Sequence, residues 1–269
     1  MLREWLTALR ISVANTAVGQ LGYVAELASL SAKHRRCKSA WLPHMQKSRE
    51  ALLAAAEQHR DASRPALVLG GGALADIPLG ELTELFGQVN LVDIAFLAKT
   101  RRTAARFRRR VTLIHADLTG ISERLNDEQG IPAVSPGLHG VPAEIVADAA
   151  WVASVNCLTQ LPLLPSRHLL DRGFPENAVE TFAISLMQAH LEALVALPCP
   201  WCLISEWQDV RFDRAGAAVG QTDYADIIEP LLRQASVRRC AEWEWWVHPP
   251  GELPAGESEV RRIAVWRSC

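Results

Sequence analysis

Residues 66–74 read ALVLGGGAL, and residues 90–95 read NLVDIA. Ala66 to Leu69 is a short apolar run of strand type, closed by Gly70-Gly71-Gly72. Three glycines in a row let the backbone turn tightly and approach a ligand closely, because no Cβ intervenes. Helix-like sequence follows from Pro78 to Phe86, and a second apolar run, Val89 to Val92, ends at Asp93. The order strand, glycine turn, helix, strand ending in acid puts free backbone amides and a carboxylate at the carboxyl edge of a parallel sheet. A nucleotide-type cofactor binds there, with the acid on ribose hydroxyls.

Working outward, the alternation continues. An arginine-rich helix is expected over Ala95 to Arg109. A third strand, Val111 to Ile114, leads into His115-Ala116-Asp117. A fourth, Ala149 to Val155, ends at Asn156. A helix over Glu176 to Leu197 precedes a fifth strand, Trp201 to Ser205, and Gly120 to Pro142 reads as a loop. Strands alternating with helices predict an α/β fold with helices on both faces of a mostly parallel sheet. The end differs: Val237 to Val247 and Val260 to Trp266 flank a Pro/Gly-rich link too short for a crossover helix, so they read as an antiparallel pair. Upstream, residues 1 to 60 read as helical, with Leu6, Leu9, Val13 and Val18 near helical spacing and Pro43 at a helix start. The polar stretch Asp61 to Pro65 reads as a break. The expected organisation is an N-terminal helical cap, 1–62, on a cofactor-binding domain, 63–269.

The chain has 269 residues, 49% hydrophobic and 22% charged, with a net charge of −2. That balance argues against a dedicated nucleic-acid binder. Arg10, Asn15, Gln20 and Glu26 interrupt the N-terminus, so it lacks a signal-peptide core, and no stretch approaches a membrane span; a cytoplasmic protein with no membrane partner is expected. Six scattered cysteines read as reduced thiols. Cys199-Pro-Trp-Cys202 has C-x-x-C spacing, but it leads into a strand and lacks a second pair, so no metal is expected.

Four segments together resemble the class I S-adenosylmethionine-dependent methyltransferase superfamily over roughly residues 65 to 269: ALVLGGGAL, NLVDIA, LIHADLTG (113–120) and WVASVNCLTQLP (151–162). The resemblance implies a Rossmann-like, seven-stranded, mostly parallel sheet with an antiparallel C-terminal strand, beneath the helical cap. It implies S-adenosylmethionine as cofactor, with Gly70, Gly71 and Gly72 beside the methionine part, Asp93 on the ribose, Asp117 at the adenine edge and Asn156 beside the sulfonium. Two departures stand out. The first strand carries no acid before its turn, and Asn156-Cys157-Leu158-Thr159 replaces the Asp/Asn-Pro-Pro-aromatic signature of nucleobase-methylating members. The reading is methyl transfer to a small-molecule acceptor. Transfer of the aminocarboxypropyl arm, nicotinamide redox chemistry (Gly70 to Ala75 also fits G-x-G-x-x-A) and a non-catalytic binding module stay open.

On the substrate side, His44 and Arg49 lie on the expected cap, with His44 read either as a proton acceptor or as a capping or surface histidine. Asn156 and Gln160, just past the fourth strand, can orient a polar substrate or satisfy loop backbone. His190 reads as a surface or half-buried histidine. Glu206 and Trp207 are expected at the end of the fifth strand, as a substrate contact and as a packing or cation–π residue. The run Lys99 to Arg110 reads as a solvated helix face. Trp243 and Trp245 share one face of the terminal hairpin and Trp246 takes the other, which suits burial and leaves a homodimer interface open.

Overall fold

The structure, a computed structural model, describes residues 7, 8, 10–127 and 129–268. The helical reading at Leu6 and Leu9, and the thiol of Cys269, lie outside the described residues. Ten strands are described: β1 (Ser12–Val13), β2 (Asp61–Leu69), β3 (Phe86–Asp93), β4 (Ala95–Phe96), β5 (Val111–His115), β6 (Trp151–Val155), β7 (Trp201–Phe212), β8 (Ala218–Asp223), β9 (Arg238–His248) and β10 (Ser258–Arg267). The α-helices described are α1 (Thr16–Gln20), α2 (Tyr23–Arg36), α3 (Lys38–Ala56), α4 (Leu79–Leu85), α5 (Ala98–Arg106), α6 (Ser122–Asp127), α7 (Ala143–Asp148), α8 (Leu163–Asp171), α9 (Glu176–Val195) and α10 (Ala225–Gln234).

The main sheet runs β5-β3-β2-β6-β7-β10-β9. Its first five strands pair in parallel. β10 is antiparallel to both β7 and β9, so it is the reversed strand of that path. This is the expected fold, with one addition: β8 pairs with the far half of β7, giving eight strands in the sheet. The period of two along each strand sorts the core. Ala66 and Val68 of β2 join a cluster under α3, α4 and α5, while Leu67 and Leu69 join the opposite cluster under α9 and α10. Trp243 and Trp245 on β9 are buried in the first cluster with Trp41 and Met45 of α3, whereas Trp246 on the other face is 38% exposed.

Several boundaries move. Pro43 lies inside α3, on its exposed side, because the buried series Trp41, His44, Met45, Ser48 and Leu52 continues across it. Packing of that face holds the helix through a residue that cannot donate its own hydrogen bond. The expected break at Asp61–Pro65 is the entry to β2, exposed through Arg64 and buried from Pro65 on, with a register shift between Asp61 and Pro65. The arginine-rich helix is shorter than expected: Ala95 and Phe96 form β4 against β1, α5 ends at Arg106, and Arg108–Arg110 is a 3₁₀ turn. The Gly120–Pro142 loop contains α6. β7 runs well past Ser205, so Glu206 and Trp207 are interior to it. Its length comes from antiparallel pairing with β10 on one side and β8 on the other, contacts invisible to local propensity.

Candidate functional site

The carboxyl ends of β2, β3, β5 and β6 open into a cavity of about 690 Å³, roofed by α2 and α3. Gly70, Asp93, Asp117, Asn156, Gln160 and His44 all line it. Tertiary structure therefore brings together residues that are more than a hundred positions apart.

The glycine turn is built for close approach. Gly70 has φ +92°, and a Cβ on it would lie 2.3 Å from the Val155 carbonyl oxygen. A Cβ on Gly72 would lie 2.4 Å from the Ala95 carbonyl oxygen and 2.8 Å from Asp93 Oδ2. At Gly71 the nearest neighbour would be Leu91 Cβ at 3.0 Å. Leu74, four residues on, is also left-handed, at φ +53°.

Asp93 closes this turn from the next strand. Its Oδ2 accepts from the Gly72 amide at 2.7 Å and its Oδ1 from the Ala95 amide at 3.2 Å. Desolvation pushes its pKa up to about 6, against the lowering effect of those amide bonds. The Ile94 amide also acts on this carboxylate, which keeps some acceptor capacity toward the cavity beyond these three amides. Asp117 is more fully committed. Its Oδ1 accepts from the Thr119 amide at 3.0 Å and the Thr119 hydroxyl at 2.5 Å, and its Oδ2 accepts from the Ser122 amide at 2.8 Å, at the start of α6. Asp117 thereby shapes the loop Ala116–Thr119, which lines the cavity.

Asn156 ends β6 at φ +50°, a left-handed conformation that asparagine tolerates better than most residues. Its amide donates to Ile204 O at 2.8 Å, which fixes the corner. Its side-chain Nδ2 donates to Asp76 and lies 3.4 Å from His44 Nε2, while its buried Oδ1 has no partner. Asp76, on the loop after the glycine turn, was not singled out by the sequence. Its carboxylate lines the cavity, and burial raises its pKa against the opposing effects of its own amide, Asn156 and Arg49. The available signal was its position, four residues past Gly72, where the chain must still border the ligand.

His44 is buried, 3% exposed, so the capping or surface alternative does not hold. Its ring stacks on Trp245, with centroids 4.1 Å apart and planes 8° from parallel. Its Nδ1 accepts from Trp243 Nε1 at 3.0 Å. An indole N–H only donates, so the neutral ring carries its proton on Nε2, 3.9 Å from Asp76 Oδ2. Burial, then Arg261, lowers its pKa to about 3. In this tautomer the one lone pair of His44 faces Trp243, so the ring offers the cavity side a donor and not the proton acceptor that is one of its two readings. The aromatic wall continues outward: Trp41 meets Trp245 edge-on at 5.1 Å and His34 stacks on Trp41 at 5.7 Å.

Other candidates lie elsewhere. His190 is buried behind the sheet, against expectation, with its Nε2 2.9 Å from Ser154 Oγ and its pKa lowered by desolvation to about 4. Glu206 is 1% exposed and accepts from Arg261 at 2.8 Å; it belongs to a buried charge cluster and is not among the cavity-lining residues. Trp207 lies under two cations of its own chain, Arg239 at 4.7 Å and Arg262 at 5.9 Å. Thr100 and Ala104 of α5 are buried while Arg101 and Arg106 are exposed, the solvated face expected; Lys99 and Arg102, also exposed, line the cavity. Burial pushes the Cys202 thiol up to about 12, and both Cys199 and Cys202 are free. Among the described residues no helix is long and apolar enough to cross a membrane.

No family profile and no curated protein matches the chain. Solved structures do resemble it. One is the Burkholderia thailandensis 1,6-didemethyltoxoflavin-N1-methyltransferase with bound 1,6-didemethyltoxoflavin and S-adenosylhomocysteine, at 13% identity and TM-score 0.39, covering 90% of this chain and 89% of that one. A Leishmania major SAM-dependent methyltransferase is similar at 12% identity and TM-score 0.37, covering 87% and 82%. An rRNA methylase from Streptococcus thermophilus is similar at 10% identity and TM-score 0.29, covering 78% and 92%. The likeness is distant in each case.

Proposed function

We propose that the chain binds S-adenosylmethionine across the ends of β2, β3 and β5 and transfers its methyl group to a small-molecule acceptor. The observation that carries this reading is the Asp93–Gly72 clamp. A carboxylate at the end of the second parallel strand holds the glycine turn of the first, at the floor of a cavity of about 690 Å³. A volume of that order suits a cofactor and a small acceptor together.

The residues present fit the cofactor. Gly70 and Gly72 have no room for a side chain, Asp93 keeps acceptor capacity for a ribose hydroxyl, and Asn156 Oδ1 is a buried acceptor without a partner. S-adenosylmethionine, when bound, supplies an activated methyl group with its own leaving group. The protein's part is to orient, to exclude water and to take up the acceptor's proton. Trp41, Trp245 and Met45 wall the cavity against water. Asp76 is the group best suited to take the proton. Burial raises its basicity, Asn156 Nδ2 orients its carboxylate, and the Nε2–H of His44 stands beside it. Asn156 and Gln160 orient the acceptor.

The test is calorimetric titration with S-adenosylmethionine and S-adenosylhomocysteine, beside NAD(H). Micromolar binding of the first two, lost in Asp93→Ala, is expected; heat with NAD(H) alone would overturn the reading. In turnover with a metabolite extract, methyl transfer leaves S-adenosylhomocysteine, whereas transfer of the aminocarboxypropyl arm leaves methylthioadenosine.

A further inference from the structure

Charges of both signs line the cavity. Asp93 and Asp117 lie at the strand ends and Asp76 on the loop after β2, with one carboxylate, Glu26 of α2, on the roof. Cations lie on the roof and rim: Arg35 in the last turn of α2, Lys38 at the start of α3, and Lys99 and Arg102 one turn apart on α5. Arg35 and Lys38 flank the α2–α3 junction, and folding brings Lys99 and Arg102 of the distant α5 to the same cavity. His34, in the same rim, records the convergence. Its pKa is lowered first by burial and then by Lys99, Lys38, Arg35 and Arg49 together.

Among the described residues, Lys38, Lys99 and Arg102 have no carboxylate within ion-pair distance. Elsewhere among the described residues some cations are paired, as in Arg36–Glu252, Arg239–Glu229 and Arg261–Glu206, and others, Lys47 and Arg211 among them, are not. A solvated helix face accounts for Arg101, Arg106 and Arg108–Arg110. It does not account for Lys99 and Arg102 of that helix meeting the unpaired Lys38 of α3 at one cavity. Like charges held together without counterions raise the local concentration of an anion and favour its binding.

We propose that the acceptor is a small molecule with an anionic group, carboxylate or phosphate, held at the mouth by Lys38, Lys99 and Arg102. This rests on the methyl-transfer reading of the same cavity. The charge order also sets the acceptor's direction. Its anionic end stays at the rim, because the carboxylates below repel it, and its neutral, nucleophilic end points down toward Asp76 and Asn156. A small molecule is favoured over RNA because both tryptophans that line the cavity are buried within the wall and His34 already stacks on Trp41, which leaves the half-buried Tyr23 as a single ring rather than a series of stacking platforms.

The test uses benzoate and phenyl phosphate as probes, with benzamide as the neutral counterpart. Each is titrated by ligand-observed NMR into the full chain, with and without S-adenosylhomocysteine. The anionic probes are expected to bind at least tenfold tighter than benzamide at low salt, with the preference shrinking as salt rises. In the triple variant Lys38→Gln/Lys99→Gln/Arg102→Gln the preference falls below twofold while S-adenosylhomocysteine affinity stays within threefold of the parent. Equal binding of charged and neutral probes, or no binding of the anions at 10-millimolar order, overturns the proposal. So does a triple variant that loses S-adenosylhomocysteine instead, because the cations would then serve the cofactor. Tighter binding of a short single-stranded RNA than of either anion also overturns it. If S-adenosylhomocysteine does not bind at all, the methyl-transfer reading fails on its own, and the probe preference of the unliganded cavity still decides whether the mouth selects anions.

Discussion

Trp243 Nε1 lies 3.0 Å from His44 Nδ1, and the bond runs in one direction only. It joins β9 to α3 and so ties the terminal hairpin to the helical roof. It also sets the tautomer of His44, whose Nε2 must carry the proton whenever the ring is neutral. With the pKa lowered to about 3, the ring is neutral throughout the physiological range. In ¹⁵N-histidine spectra, His44 is expected to show an unprotonated Nδ1 and a protonated Nε2 from pH 8 down to pH 5. Trp243→Phe removes this donor to Nδ1 and is expected to mix the two tautomers. A protonated Nδ1 in the parent chain would refute the assignment.

Asp76 is expected to show opposite effects on stability and turnover. Its ionised carboxylate is desolvated in the folded state, which raises its pKa and costs stability at neutral pH. Asp76→Asn keeps an oxygen for Asn156 Nδ2 and discards the charge. It is expected to stabilise the chain by about 1 kcal/mol and to cut methyl transfer by about 10²-fold or more. Urea unfolding and the rate of S-adenosylhomocysteine release measure the two arms, and unchanged turnover would remove Asp76 from the reaction.

Three glycines separate space from backbone strain. Gly70→Ala forces a left-handed alanine whose Cβ meets the Val155 carbonyl, and Gly72→Ala drives a Cβ into Ala95 and Asp93. Each is expected to cost at least ~2 kcal/mol and to weaken cofactor binding by tenfold or more. Gly80 sits in α4 with open space around it, so Gly80→Ala is expected to stabilise by about 0.5–1 kcal/mol and leave binding alone. Calorimetry and urea unfolding of the three variants check this.

The two buried histidines set the acid limit. Both have folded-state values below the ordinary 6.5, about 3 for His44 and about 4 for His190, because burial disfavours the charged ring. Between those values and 6.5 the unfolded chain binds more protons, so their contribution is intact above pH 6.5. It is lost as pH falls, at about 1.4 kcal/mol per pH unit for each ring. Asp93, raised to about 6, and Asp209, raised to about 7, act the other way, with a penalty that grows as pH rises from about 4 to 7. His190→Gln is therefore expected to flatten the acid arm of the stability profile, and Asp93→Asn the opposing arm. Urea midpoints at four pH values between 4.5 and 7.5 read both slopes.

Arg261 holds together a buried cluster that local sequence did not announce. It donates to Glu206, lies near Asp209 and Glu259, and sits over the Trp245 ring at 5.7 Å. Arg261→Met strands a carboxylate that is 1% exposed and is expected to cost about 3–5 kcal/mol. Adding Glu206→Gln is expected to recover most of that loss, measured by thermal and urea unfolding. Failure to recover would mean that Arg261 acts through packing on Trp245.

Residues 66–117 made the fold legible because their message is local. An apolar run of four, three glycines and an acid at the end of the next run specify a parallel βαβ unit through periodicity and backbone freedom. The Pro/Gly-rich link before Val260 likewise excludes a crossover, so the reversed final strand was legible too. Other features had no local signature. β8 and the second half of β7 exist through cross-strand pairing, and α3 persists through Pro43 because its buried face is held by the sheet. The same division runs through the site. Gly70, Gly72, Asp93, Asp117 and Asn156 were visible as residues that end strands or turn chains. Their hydrogen-bond partners, the tautomer of His44, the presence of Asp76 and the cationic mouth formed by α2, α3 and α5 were decided only in three dimensions. A carboxylate's or an imidazole's chemistry depends on what lies within a few ångströms, and those neighbours come from distant parts of the chain.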